Sequence, residues 1–575
     1  MKTVTLGAFI LLAALPTTLA AEIINAVEVK TPSGWVRGYE ENYDNGQVYR
    51  FIKIPFAKPP LGKLRFQKPQ PIEEWEDVQG ISDELGPSCS QWQFPMPGMD
   101  DLQQDENCLH LNVYVPGKVS KDRDLSVMVW IHGGGFIFGG ANQYHPQKLV
   151  LGGDVIVVTI NYRVGFLGFL TLNDPLMAGN YGLWDQIEAL RWVQNNIGAF
   201  GGNPNSVTIF GESAGGMSVS LLTLIPSNKG LFQRAISQSG VATYPGIITK
   251  KELEKERADQ FLERVNCKDK GDISETLKCL QDIPVENITN AFTLEELQPS
   301  LNTSVNTAGL TPSIDGELIK KNVAYPWSVD DEIYSVFRSV DFMSGTLDGE
   351  GNLVYMHLND EIQKHYEFNV TEKVPLRILC EISAPVYVEQ VAGNVPELAQ
   401  EICDFYTTAE SVDAQSNKVC EFGGDHMFIV PSNIILSIHG KNNENAKSFQ
   451  YLVTKPSPVP FGGDPPVWFK GAGHGDEVYL MFDFPTIHFP EEKRKNLEET
   501  KKLSDDMIKY WTNFAKFGDP NDESLPEWPR YDVNNKRYVI LDIPITTGEN
   551  LKPAATALLN KIIEKGRQGI VHDEI

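Results

Sequence analysis

The chain has 575 residues, 41% of them hydrophobic, and a formal charge of −26. That charge would repel phosphate backbones, which argues against a nucleic-acid partner. No Cys/His cluster has metal-ligand spacing and no glycine loop has a phosphate-cradling pattern, so neither metal nor cofactor is implied.

Taken in chain order, residues 1–20 read as a secretory signal peptide. Lys2 supplies the positive start, Leu6 to Ala14 the apolar core, and Thr18 to Ala20 a small-residue cleavage site. Pro16 cuts the apolar run short for a membrane anchor, and no later segment is long and apolar enough to span a bilayer. Secretory export makes disulfides the expected fate of most of the seven cysteines.

The run Val127 to Ile131 reads as a buried strand and leads directly into His132, Gly133, Gly134, Gly135 and Phe136. Consecutive glycines leave backbone N–H groups uncovered, which is what a developing oxyanion needs in acyl transfer. A second continuous apolar run, Val155 to Ile160, is expected in a sheet buried on both faces. A third, Val207 to Phe210, ends at Gly211, Glu212, Ser213, Ala214 and Gly215, before a helical pattern from Met217 to Ile225. A serine on such a strand-to-helix turn stands clear of the backbone, and the flanking glycines allow the tight packing. Ser213 is the candidate nucleophile. Gly134, Gly135 and Ala214 are the candidate oxyanion donors.

Three sequons follow, at Asn287, Asn302 and Asn369, and fit a glycosylated secretory protein. Between Phe342 and Gly351 a strand-like stretch ends in two carboxylates, Asp348 and Glu350. Either could orient an imidazole, and local sequence leaves both open. Among ten histidines, His474 lies in a glycine-flanked turn, Gly471 to Glu477, ahead of an apolar run. His426 beside Asp425 is its rival, but it heads an apolar run and is expected to pack at a helix start. His474 is the candidate base. The C-terminal part shows a helical pattern from Ala555 to Lys565, where pairing into a homodimer stays open, and ends in His572, Asp573, Glu574 and Ile575. That end is similar to a retrieval signal for the endoplasmic reticulum lumen, with full secretion as the alternative.

These motifs come with further blocks: Pro59 to Phe66, Glu106 to Asn112, Asn161 to Gly168, Gly179 to Gln186 and Gly201 to Pro204. Together they resemble the type-B carboxylesterases, the cholinesterase-like branch of the α/β-hydrolases, over nearly the whole mature length. The resemblance implies a large, mostly parallel central sheet with helices on both faces and inserted helical segments over the mouth of the site. It implies one hydrolase domain at 21–555 and a C-terminal helix and tail at 556–575. It selects Glu350 over Asp348, by its place five residues after Gly345, and gives Ser213, Glu350 and His474 as the triad. It also implies bridges Cys89–Cys108 and Cys267–Cys279, leaving Cys380, Cys403 and Cys420 with at least one free thiol.

The activity so implied is hydrolysis of small-molecule or lipid carboxylic esters through an acyl-enzyme. A non-catalytic adhesion protein, a cholinesterase and a juvenile-hormone esterase are the alternatives. The loop from Cys89 to Cys108 holds its only tryptophan, Trp92, near its start rather than in Met96 to Asp101, which speaks against a choline site. Glu212 stands where juvenile-hormone esterases usually carry Gln. Segments 235–242, 345–350 and 510–520 look more like bile-salt-activated lipase and broad carboxylesterases. Where the family commonly has Trp, this chain has Gly246. That change is expected to enlarge the acyl pocket unless a neighbour such as Tyr244 refills it.

Overall fold

The computed structural model describes residues 26–79, 85–93, 103–292, 310–407, 411–460, 463–483 and 491–573, with side chains at 491–498 and 569–573 set aside. Its centre is a thirteen-stranded sheet. On one flank lie β1 (Ala26–Thr31), β2 (Gly34–Tyr43), β3 (Gly46–Pro55) and β4 (Trp75–Gln79). The short strands β5 (Ser88–Cys89) and β6 (Gln104–Asp105) pair separately, beside the Cys89–Cys108 bridge. The remaining strands are β7 (His110–Pro116), β8 (Leu125–Ile131), β9 (Ile156–Ile160), β10 (Gly202–Glu212), β11 (Arg234–Gln238), β12 (Asp341–Leu347), β13 (Ser448–Val453), β14 (Arg537–Leu541) and β15 (Thr546–Glu549).

The order is β1-β2-β3-β7-β9-β8-β10-β11-β12-β13-β14-β15, with β4 on β2. From β9 to β14 all neighbours are parallel; the pairs among β1, β2, β3, β7 and β9, and the pair β14–β15, are antiparallel. The sheet is therefore mixed, with a parallel centre where the site residues lie.

Strand periodicity splits the core. On β8, Val127, Val129 and Ile131 face one layer while Met128 and Trp130 face the other. Helices Tyr181–Asn196 and Ala214–Thr223 cover the first layer, with Leu190 and Leu222 in its core. Helix Glu491–Phe517 covers the second with Met507, Trp511 and Phe514. Each such side chain taken from water contributes about 1.5–3 kcal/mol.

Several family-like blocks have plain structural tasks. Arg163 donates Nε and Nη2 to the two carboxylate oxygens of Asp185 at 2.8 and 2.7 Å, fixing the loop after β9 to helix Tyr181–Asn196. Arg65 pairs with Glu106 and donates to the carbonyls of Leu280 and Ile283 at 2.9 and 2.7 Å.

Cysteines bridge as Cys89–Cys108, Cys267–Cys279 and Cys380–Cys403, and the free thiol is the buried Cys420. Asn287 and Asn369 are exposed; Asn302 lies outside the described residues, as do 1–20, Met96 to Asp101 and the last two residues. Helix Pro553–Asp573 runs across position 555, and its Leu559, Ile562 and Ile563 are buried within this chain's own core. Among the described residues, no helix is long and apolar enough to cross a membrane.

Candidate active site

Ser213 sits between β10 and helix Ala214–Thr223 with φ 57° and ψ −125°, a strained backbone for a non-glycine residue. Its N–H donates to the Gln238 carbonyl at 2.9 Å, and its own carbonyl accepts from Met217 N at 2.8 Å. The steric demand on the flanking glycines is explicit. A Cβ on Gly215 would stand 2.0 Å from the Ile131 carbonyl oxygen, and one on Gly211 would stand 2.5 Å from the same atom.

The glycine loop leaves β8 immediately beside this turn. A Cβ on Gly133 would lie 3.1 Å from Ser213 Cβ. Gly134 and Gly135 take φ of 105° and 61°, which side chains disfavour. Among the described residues, no hydrogen bond takes up the N–H of Gly134, Gly135 or Ala214. His132 is a structural member: its ring stacks on Tyr162 at 4.2 Å, and burial pushes its imidazole down to about 4.

Glu350 follows β12 and is fully buried. Its Oε1 accepts from Leu347 N at 2.9 Å, and its Oε2 lies 2.6 Å from His474 Nδ1. Asp348 stays exposed, and its Oδ1 accepts from Ala472 N at 2.8 Å, bracing the histidine loop instead of the imidazole. The loop is further held by Gly349 N to Ala472 O at 2.9 Å and His474 N to Asn352 Oδ1 at 3.0 Å. Phe428 packs on the His474 ring at 4.5 Å.

His426, expected at a helix start, lies instead in a π-helical turn, Asp425–Ile429, inside a helical run from Val412 to Gly440. One residue too many per turn rotates the face of the helix there, a feature that clusters at functional sites. Asp425 accepts from Tyr406 Oη at 2.8 Å and stands 3.7 Å from Lys552, so it is no partner for His426.

Two carboxylates join the imidazole that motif reading had not assigned to it. Glu212 Oε1 lies 3.2 Å from His474 Nε2. Glu477, fully buried three residues after His474, accepts from Gln238 Nε2 at 3.3 Å, and Gln238 Oε1 accepts from Trp511 Nε1 at 3.1 Å. Burial pushes Glu212 up to about 7, helped by the Glu350 charge and opposed by His474. Burial, with the charges of Glu212 and Glu350, holds Glu477 well above the carboxylate range. Burial also disfavours the His474 imidazolium, but Glu212 and Glu350 outweigh it and push the group up to about 9. Ser213 Oγ makes no hydrogen bond among the described residues. The only sequence signals for the extra acids were a Glu inside the elbow motif and another in the histidine loop.

Gly246 is where the sequence predicted a widened pocket. A Cβ there would fall 2.4 Å from Cζ and Oη of Tyr244, so the phenol lies over the glycine and reclaims part of that space. Trp92, the tryptophan of the loop after Cys89, packs on Phe292 with ring centroids 5.4 Å apart.

Residues 25–559 match the carboxylesterase family. Human (Homo sapiens) bile salt-activated lipase is 36% identical over 89% of this chain, which spans 66% of that lipase's length. Mouse (Mus musculus) carboxylesterase 1E is 33% identical over 91% of each chain, and rabbit (Oryctolagus cuniculus) liver carboxylesterase 1 is 33% identical over 90% of this chain and 89% of its own. With this fold and these relatives, the chain belongs to the carboxylesterase family and is a carboxylic ester hydrolase.

Proposed function

We propose that the chain is a broad serine carboxylesterase acting on small-molecule and lipid esters through a covalent acyl-enzyme. The observation that carries this reading is the 2.6 Å contact from Glu350 to His474 Nδ1, beside a serine held at positive φ on the elbow. In the reaction His474 Nε2 turns from Glu212 to Ser213 Oγ and takes its proton as the oxygen attacks the ester carbonyl. Glu350 keeps the imidazole in the right tautomer and stabilises the imidazolium. The free N–H groups of Gly134, Gly135 and Ala214 stabilise the tetrahedral oxyanion, each worth a factor of about 10²–10³ in rate. His474 then passes the proton to the leaving alcohol, and water repeats the cycle to release the acid.

The test is active-site labelling. A fluorophosphonate should label the purified protein at Ser213, and Ser213→Ala should lose both labelling and p-nitrophenyl ester turnover. Turnover at wild-type rates in that variant would end the assignment.

We also infer residence in the secretory pathway. Three disulfides and the exposed sequons at Asn287 and Asn369 support it. Expression with and without residues 572–575 tests retention: more protein in the medium without them supports luminal retrieval, and equal amounts support secretion.

A further inference from the structure

The glycine loop has few side chains of its own to fix its shape. Glycines have the widest backbone freedom, yet the N–H groups of Gly134 and Gly135 must aim at one point to serve an oxyanion. The turn closes locally through Ile137 N and Phe138 N, which both donate to the Gly134 carbonyl, at 2.9 and 3.1 Å. Its far end, Gly139, is buried with φ of 116° and returns against its start. A Cβ on Gly139 would stand 2.4 Å from His132 Nδ1 and 2.7 Å from the Gly133 carbonyl oxygen. Whatever fixes Gly139 therefore fixes both ends of the turn that presents the donors.

A side chain from outside the loop does this. Gln91 lies two residues after Cys89, just beyond β5, and is buried. Its Oε1 accepts from Gly139 N at 2.7 Å, and its Nε2 donates to the Gly139 carbonyl at 2.9 Å. One planar amide thus takes up both polar groups of a single residue, which fixes rotation as well as position. Nε2 also donates to the Cys89 carbonyl at 2.8 Å, and the Cys89–Cys108 bridge closes the segment that carries Gln91. The chain beyond Gly139 is anchored separately. Asn161 Oδ1 accepts from Ala141 N at 2.8 Å, while its Nδ2 donates to the Pro87 and Cys108 carbonyls at 2.9 and 3.0 Å. Loss of Gln91 would therefore leave the exit of the loop held and free the turn itself.

Resting on the ester-hydrolase reading, we propose that Gln91 is a positioning residue of the reaction, clamping Gly139 so that the Gly134 and Gly135 N–H groups converge on the oxyanion. The path from the clamp to the donors is one peptide long. The N–H that Gln91 holds belongs to the peptide joining Phe138 to Gly139, and a planar peptide moves as a unit. Its other end, the Phe138 carbonyl oxygen, lies 2.1 Å from where a Cβ on Gly134 would stand. Gly134 is thus packed against the very peptide that Gln91 fixes, and rotation of that peptide would carry the first donor with it. Charge grows on the ester oxygen only in the transition state, so loss of the clamp should appear in kcat and spare KM.

The experiment uses the full-length enzyme with p-nitrophenyl butyrate as substrate and an alkyl trifluoromethyl ketone as probe of the oxyanion hole. Ser213 Oγ adds to the ketone carbon, its proton passes to His474, and the carbonyl electron pair moves onto the oxygen, so the adduct carries the transition-state charge. Gln91→Leu removes the clamp at similar size and should lower kcat by about 10²-fold, with KM within about 3-fold of wild type. The inhibition constant of the ketone should rise by the factor by which kcat falls. Gln91→Glu keeps the acceptor for Gly139 N but loses the donor to its carbonyl, and should show the same split at about 10-fold. Where Gln91→Leu does not fold, Gln91→Glu decides. Wild-type kcat in the variants, a loss carried by KM instead, or a kcat loss with unchanged ketone affinity would overturn the clamp while leaving the hydrolase intact. No turnover by the wild type, together with no fluorophosphonate labelling, would instead overturn the hydrolase reading itself.

Discussion

On the glycine-loop side of Ser213 the site is made of backbone, supplied by residues close in sequence to β8 and β10. On the histidine side it is made of side chains brought from positions as distant as Glu212, Glu350, His474 and Trp511. The first side is defined by atoms that must be absent: no Cβ fits at Gly134, Gly211 or Gly215. The second is defined by charges that must be present in one buried volume, where the carboxyl groups of Glu212 and Glu350 flank one imidazole. Rigid steric machinery and tunable electrostatic machinery thus meet at one serine, and substitutions should tell them apart.

The largest effect belongs to the charged side. Glu350→Gln removes the carboxylate that orients Nδ1 and should lower kcat by about 10⁴-fold, because the amide favours the wrong tautomer. Asp348→Asn, which bears on the loop and not on the ring, should stay within about 10-fold. Equal losses in the two variants would erase the distinction between the acids. Gly134→Ala tests the backbone side. Its Cβ would meet the Phe138 carbonyl oxygen at 2.1 Å, so the loop must shift and the oxyanion donors with it. A loss of about 10²–10³ in kcat is expected, together with a lower melting temperature from the strained φ of 105°. Wild-type kcat would show that the loop's geometry does not matter. A smaller change is expected where the two sides border the substrate. Tyr244→Ala should reopen the space over Gly246 and raise the kcat/KM ratio of branched to straight acyl esters by about 10-fold. A ratio that falls or stays constant in that series would place the phenol outside the acyl path.

The difference between the sides also governs what could be seen in the amino-acid order. Glycine spacing around Ser213 and in 133–135 is a local code, because each missing side chain is demanded by a backbone atom a few residues or one strand away. The parallel centre was legible for the same reason, through continuous apolar runs such as Val155 to Ile160. The antiparallel flanks were not, since pairing direction is fixed by connections and not by side-chain pattern. Asp348 and Glu350 differ by whether a carboxylate points out at the loop or in at the ring, which depends on β12 and β13 together. Glu477 stood in the histidine loop with no role assigned to it. Only folding puts it against Gln238, which in turn accepts from Trp511. His426 looked like a helix start because a π turn leaves no compositional mark.

The charge cluster makes a further prediction for Glu212. His474 can accept the Ser213 proton only when neutral, so activity is lost as pH falls through its folded value. Glu212 and Glu350 raise that value to about 9, against the opposing effect of burial. Glu212 also titrates within reach, near 7, so on the acid side its own protonation weakens its hold on the imidazolium. Glu212→Gln keeps the shape and a hydrogen-bonding group but deletes the charge. The imidazolium then loses one stabilising partner, its pKa falls, and the acid limb of kcat/KM should move to lower pH by about one unit. At mildly acidic pH the variant should therefore retain a larger fraction of its own maximum than the wild type does, even if that maximum is lower. An acid limb that stays in place would mean that the 3.2 Å contact with Nε2 carries no electrostatic weight in the free enzyme. A shift upward would mean that Glu212 holds its proton throughout and acts as a donor to the ring.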